Sequence, residues 1–405
     1  MARRCLNTEA QRHRARSCTV PDASRVAGAG KVRLGDVCKI IGGGTPSKSN
    51  ASFYTGNIPW ASVRDMKEKV LSCTEYCISD IAVENSATNI IPQGEVVIST
   101  HVGLGKVCVL AQDTAINQDL KAIIPVEELN RDYLYHWFVS QARFIISHGH
   151  GITVKGVSVD FVKSMKIPLP PLPTQRRIAA ELDRLCALKK NAEDRLAILD
   201  QIVKSRFVEM FGEESEWPHE RIGGILQIER GGSPRPIDKY ITDSPEGVNW
   251  IKIGDTVPGE IYIEHAKEKI LKSGIVKSRK VLPGDFLLSN SMSFGRPYIT
   301  KIEGYIHDGW LVLRDENKIF EKLFLHQLLS SQYVYKQFAK LASGSTVKNL
   351  NKDLVGRVEV PIPPLSLQRE FAEFVASVDK LKAALRETVA TLDQLYRAKL
   401  QEYFG

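Results

Sequence analysis

The chain has 405 residues, 43% hydrophobic and 25% charged, which are the proportions of a soluble globular protein with length for two or three domains. No apolar run approaches the roughly 18 residues of a membrane-crossing helix, so no membrane partner is expected. The formal charge of +8 is weak evidence for a polyanion partner, because residues 1–31 hold seven basic and two acidic side chains and leave only +3 for the other 374.

Residues 1–31 lack apolar periodicity. They read as a basic, disordered arm or a start assigned too early, and their Arg-rich, acid-poor composition also fits an organelle transit peptide. The seven cysteines are odd in number and lack the spacing of a disulfide framework, which points to a reducing cytoplasm. Cys73 and Cys77 have no second pair at a zinc-like distance, so no metal site is expected.

From 32 to 166 the chain alternates short β-branched runs with glycines. The runs at 95–100, 106–110 and 122–125 predict a twisted, largely antiparallel sheet, and 134–147 predicts an amphipathic helix beside it. Ile-Pro-Leu-Pro-Pro-Leu-Pro-Thr-Gln-Arg comes next, at 167–176. Those prolines cannot continue a helix interior, so a helix begins just after them and runs without Gly or Pro to Gly212. Ile178, Leu182, Leu185, Ala192, Leu196, Leu199 and Val203 recur at steps of three, four or seven. One apolar stripe on a helix of roughly 38 residues, about 57 Å long, is a coiled-coil seam or the buried face of a core helix. The acidic segment 213–218, closing on Pro218, marks a linker.

The second half of the chain repeats the first. Residues 174–212 align with 367–405 at a constant offset of 193, with 12 of 39 positions identical, too much register for coincidence. The second stripe is Phe371, Val375, Val378, Leu385, Val389 and Leu392. Two matched rods favour pairing with each other. Residues 219–359 match 32–166 more loosely: 33–46 pairs with 221–234, Trp60 with Trp250, Gly94 with Gly284, and Gly105-Lys106 with Gly295-Arg296. Thr153-Val-Lys155 returns as Thr346-Val-Lys348. Runs at 285–289, 298–302 and 310–314 predict the second sheet, and 323–341 its helix. The expected organisation is therefore α+β: an arm at 1–31, a mixed domain at 32–166, a proline entry and long helix at 167–212, a linker at 213–218, a second domain at 219–359, and a second entry and helix at 360–405.

Gly43-Gly44-Thr45-Pro46, Gly103-Leu-Gly-Lys106, Asn117-Gln118, Gly344-Ser-Thr-Val-Lys348 and the two Pro-x-Pro-Pro-Leu-x-x-Gln entries, in this order, resemble the specificity subunit of type I restriction–modification systems. The resemblance covers about residues 32–405. It implies two target-recognition domains, each reading one half of a split, asymmetric double-stranded DNA sequence. It further implies that the long helices pair as an antiparallel coiled coil, fix the half-site separation and dock two methyltransferase (modification) subunits. Restriction subunits, acting as endonuclease and translocase, would join the full complex. The chain itself would be non-catalytic and bind no cofactor.

Base readout needs forked donors and acceptors flanked by phosphate-binding Lys, Arg, Ser and Thr. In the first domain the candidates are Thr45, Ser47, Lys48, Arg64, Lys67, His101, Lys106, Thr153 and Lys155. In the second they are Ser233, Arg235, Lys252, Asn290, Arg296, Ser345, Thr346 and Lys348. The recurring Thr-Val-Lys and Gly-Lys/Arg positions fit either a shared DNA-backbone contact or shared turn chemistry.

Enzyme readings lack support. The Gly103–Lys106 segment lacks the spacing of a phosphate loop and has no Ser or Thr after its lysine. Neither Pro-Pro is preceded by the Asn or Asp that an adenine methyltransferase places at a flipped base, and His, Ser and Cys form no triad-like group. The alternative of another class is a coiled-coil scaffold joining two protein-binding β-rich domains without DNA binding.

Overall fold

A computed structural model describes residues 30–151, 155–212, 217–257, 259–290, 295–342 and 349–405. Of these, 30–191 with 388–405 form one compact unit and 192–387 form the other.

Besides a two-stranded pair, each unit holds two larger sheets in the same strand order. In the first, a five-stranded sheet runs Cys38–Gly42, Leu120–Pro125, Val96–Ser99, Val107–Leu110 and Val70–Leu71. In the second the order is Gln227–Arg230, Trp310–Arg314, Phe286–Ser289, Pro297–Thr300 and Tyr262–Ile263. A four-stranded sheet, Tyr76–Ile78, Ile58–Ala61, Thr114–Ile116 and Asn89–Ile91, recurs as Glu268–Ile270, Val248–Ile251, Gly304–Ile306 and Arg279–Val281. The repeat thus extends to every strand, and the single sheet expected per domain is in fact two larger sheets and a two-stranded one. Each large sheet is antiparallel except at its last pair, and each small one except at its central pair.

Two sheets explain why the apolar runs do not alternate. Neighbouring side chains on a strand point to opposite faces, and here both faces are covered. Val96 and Ile98 pack with Leu134, Trp137 and Phe138 of the helix Arg131–Ser147, while Val97 packs with Ala61, Ile91 and Ile116 of the small sheet. Phe286 and Leu288 likewise face Phe324 and Leu328, and Leu287 faces Ile251, Val281 and Ile306. The helix expected over 323–341 is broken into Lys322–Leu329 and Gln332–Leu341. Its break falls at Ser331, whose side chain accepts from the Val334 amide and so restarts the helix.

The long helices span Leu172–Phe211 and Leu365–Phe404, 40 residues each and about 60 Å long. Gly212, at φ +75°, ends the first in the left-handed conformation. They pair antiparallel: Lys189 meets Asp393 in the first unit, and Asp200 meets Lys382 in the second. Of the stripe residues, Ile178, Leu182, Val203, Phe371, Val375 and Val378 are buried, while Leu185, Leu196, Leu199, Leu385 and Leu392 are half-buried. The deeply buried ones are also core residues of the mixed domains. Ile178 and Leu182 share a cluster with Trp137, Ile167 and Leu400, and Phe371 shares one with Phe207, Phe324 and Leu328.

The proline entries are strands before they are helices. Lys166–Pro168 pairs with Lys31–Arg33, and Glu359–Pro361 with His219–Arg221, so each domain's first strand binds the segment leading to its helix. One turn on, Gln175 and Gln368 are fully buried. Gln175 Oε1 accepts from the Asn130 amide at 2.8 Å, and its Nε2 donates to Glu128 O at 2.9 Å and Pro170 O at 2.7 Å. Gln368 repeats all three bonds with the Glu321 amide, Ile319 O and Pro363 O.

Candidate nucleic-acid interface

The glycine pairs build the site. Gly43 lies so close to the end of the strand Thr114–Ile116 that a Cβ there would sit 2.1 Å from Ile116 O, and one on Gly44 would sit 2.5 Å from Ala87 C. Gly231 and Gly232 are equally enclosed, each with a carbonyl oxygen, that of His307 or Lys277, at 2.1 Å from the would-be Cβ. Gly44 N donates to Ile116 O at 3.0 Å, and Gly232 N to Ile306 O at 3.2 Å. Thr88 and Ser278 add hydroxyl bonds to those same carbonyls at 2.8 and 2.7 Å. These two loops are therefore pinned against strand ends by backbone approach that only glycine permits.

The next residue is held in the same way in both units. The Thr45 hydroxyl donates to Gln118 Oε1, and the Ser233 hydroxyl donates to Asp308 Oδ1 at 2.7 Å. Gln118 and Asp308 occupy the same place after equivalent strands. In the first unit this pair lies in an open cleft of about 550 Å³, lined also by Lys48, Tyr54, Arg64 and Tyr76. Arg64, with 81% of its side chain exposed, stands 3.9 Å from Glu75. Asn117 is buried, and its Oδ1 accepts from the Asp119 amide at 3.1 Å. In the second unit Arg235, 78% exposed, approaches Asp308 Oδ2 at 3.5 Å. The Ser233 hydroxyl bond outweighs burial, with help from Arg235, and holds the Asp308 carboxyl below the usual carboxylate range. Burial pushes the neighbouring His307 down, so it favours the neutral ring.

The cleft thus brings together Thr45, Lys48 and Arg64. Ser47 is exposed and hydrogen-bonded to Ser49 at 2.7 Å, and Lys67 and Lys155 are exposed on other segments. His101 is exposed, its Nδ1 3.3 Å from the Thr100 hydroxyl. Lys106 donates to Val63 O at 3.2 Å, and Arg296 is exposed. The glycines before them, Gly105 at φ +84° and Gly295 at φ +71°, are required by the turn itself, which favours shared turn chemistry for that motif. Two candidates stand differently from the expectation. Asn290 is 3% exposed and donates to Asp308 O at 2.7 Å, so its amide is used inside the domain. Lys252 is half-buried against the Glu268 carboxylate, which neutralises it. Thr153, Ser345, Thr346 and Lys348 lie outside the described residues.

Sequence reasoning passed over Gln118 and Asp308 as contact residues. The signal was present: Ile-Asn-Gln-Asp at 116–119 stands where Ile-His-Asp-Gly stands at 306–309, a shared position with changed chemistry. Among the described residues, no group of three His, Cys, Asp or Glu is placed to hold a metal, and no helix is long and apolar enough to cross a membrane.

A family model described as the type I restriction modification DNA specificity domain matches residues 28–198 and again 214–392. The EcoR124I/EcoR124II type I restriction enzyme specificity subunit of Escherichia coli is 34% identical over 170 residues; that match spans 40% of this chain and 42% of the relative's length. The MjaIX specificity subunit of Methanocaldococcus jannaschii is 22% identical over 374 residues, 85% of each chain. In fold, the chain is similar to the crystal structure of a type I S subunit from M. genitalium, with TM-score 0.57 at 16% identity, covering 93% of this chain and 96% of that one.

Proposed function

We propose, from the premise that this chain belongs to the type I restriction modification DNA specificity domain family, that it gives such a system its sequence specificity. Each unit reads one half of a bipartite, asymmetric DNA target. One observation carries the reading: the same glycine-pinned frame is built twice, and it ends in Thr45 with Gln118 in one unit and in Ser233 with Asp308 and Arg235 in the other. A shared frame suits a shared duplex geometry, and unlike tips suit unlike bases.

The recognition domains are 32–166 and 219–359, each joined through its proline entry to a long helix. The helices set the spacing between half-sites and dock two modification subunits, a stoichiometry supported by the duplicated surface of the repeat. Restriction subunits complete the complex, and the chain itself catalyses nothing and carries no cofactor. Phosphate contacts fall to the exposed Ser47, Lys48, Lys67, His101 and Lys155, with Lys106 and Arg296 as further exposed cations whose shared motif is set by the turn. The scaffold reading without DNA is disfavoured by the family model, whose domain is one of DNA specificity.

The test is to exchange residues 32–166 for the equivalent domain of a related subunit and to sequence the methylated motif in cells. One half of the motif should change and the other stay. A change in both halves refutes the two-domain reading. Binding of duplex by the assembled complex should also fall steeply with salt through counterion release, and salt-insensitive binding speaks for the scaffold.

A further inference from the structure

We infer that the pinned loop tip is the base-reading position of each unit: Gln118 reads an adenine in one half-site, and Arg235, positioned by Asp308, reads a guanine in the other. The inference rests on the DNA-reading function proposed above and names the residues and bases through which it acts.

The repeat keeps one part of this loop and changes another. Kept are the two glycines, the backbone bond from Gly44 or Gly232, and the hydroxyl of Thr45 or Ser233 aimed at the second residue after the strand. Changed is the acceptor of that hydroxyl, a neutral amide in one unit and a carboxylate in the other. Both tips reach solvent: Gln118 is exposed, and the Asp308 side chain is 44% exposed.

The bonds already made fix how each tip meets a base. Gln118 Oε1 accepts one hydrogen from Thr45 and, as a carbonyl oxygen, has a second lone pair for an adenine N6–H. Its Nε2 carries two hydrogens and makes one long bond, 3.5 Å, to Asp119, so it has a hydrogen for adenine N7. This is the bidentate amide–adenine pattern of the major groove. Asp308 accepts only, and its two oxygens already face Ser233 and the Arg235 guanidinium. The forked donor of Arg235 is then the group presented outward, and its match is the O6/N7 edge of guanine. Asp308 is a positioning residue in this scheme, because it acts through Arg235.

The experiment uses the full chain assembled with its modification subunits and a panel of duplexes carrying every single-base change in the target. For the parent complex, each correct base is favoured. Gln118→Ala should lose discrimination roughly tenfold or more at one adenine and leave the other half-site unaltered. Gln118→Glu, an acceptor without the amide hydrogens, should shift preference there toward cytosine. Arg235→Ala should relax one guanine in the other half-site, and Asp308→Asn should relax the same guanine less. Full discrimination at every position in Gln118→Ala and Arg235→Ala overturns the assignment while leaving the DNA-reading function standing. Loss of binding to all duplexes by variants that still assemble also overturns it, because one base contact does not hold the phosphates. A parent complex that prefers no sequence removes the proposed function and this inference with it.

Discussion

The buried glutamine of the proline entry is where one side chain joins a recognition domain to its helix, and replacing it has a calculable cost. Gln175→Ala removes an acceptor from the Asn130 amide and two donors from Glu128 O and Pro170 O, all inside the first unit. A buried backbone group left without a partner costs about 1–3 kcal/mol; Pro170 O is in a buried bond and the other two groups are in part-buried ones, so the three together lose about 3 kcal/mol. Asn130 is also the cap of the helix Arg131–Ser147, its side chain accepting from Tyr133, so the damage reaches the helix that covers the large sheet. The assay is amide hydrogen exchange followed by mass spectrometry. Exchange at Asn130 should accelerate by about a hundredfold, the equivalent of 3 kcal/mol at 1.4 kcal/mol per decade. The Glu321 amide, held by Gln368, should keep its protection. Gln175→Glu keeps an acceptor for the Asn130 amide but has no hydrogens for the two carbonyls and sets a carboxylate against them, so it should also loosen the entry. An unchanged rate at Asn130 in both variants refutes the reasoning, for it means the three bonds do not hold the entry in place.

Phe371→Ala, at a fully buried ring 5.5 Å from Phe207, should cost the second unit about 3–5 kcal/mol in urea denaturation. Lys382→Asp should destabilise that unit by setting a new carboxylate against Asp200 and Asp379, and adding Asp200→Lys should restore about 1 kcal/mol in a double-mutant cycle. Burial raises the Asp183 pKa, but bonds from His136 and Lys69 outweigh it, so the carboxyl lies below its ordinary value. A depressed carboxyl stabilises the fold above its unfolded pKa, and that contribution is lost as pH falls through the folded value. The acid limb of the stability curve below about pH 4 should therefore be shallower in Asp183→Asn.

Much of this architecture was legible because repetition and periodicity are properties of sequence. The constant offset of 193 located both long helices to within two residues of their ends. Period-free apolar runs located the strands, but they did not reveal that a second sheet covers the other face. That depends on partners far along the chain, as where Val97 meets Ile116. The break at Ser331 was hidden because residues 323–341 keep a helical apolar pattern across it. Site residues were harder still. Asn290 has the chemistry of a base reader, yet the fold turns its amide inward to Asp308 O. Lys252 is as basic as Lys48, yet Glu268, sixteen residues on, pairs with it. Residue type states what a side chain does when presented; only packing decides whether it is presented.

That division also explains how two halves of one plan recognise different sequences. At Gly43 and Gly231 any side chain meets a carbonyl oxygen at 2.1 Å, so the frame tolerates no variation without moving a strand end. Two residues after Gly43 the loop turns outward at Thr45, four residues after Gly231 it does so at Arg235, and Gln118 stands exposed beside Thr45. Substitutions at such exposed positions usually change stability by no more than about 0.5 kcal/mol, while one bidentate base contact is worth about 1–3 kcal/mol of discrimination. The ratio favours change at the tips. On the base-reading role proposed above, selection for a new target acts at these tips at little expense to folding, while the glycines behind them hold the frame.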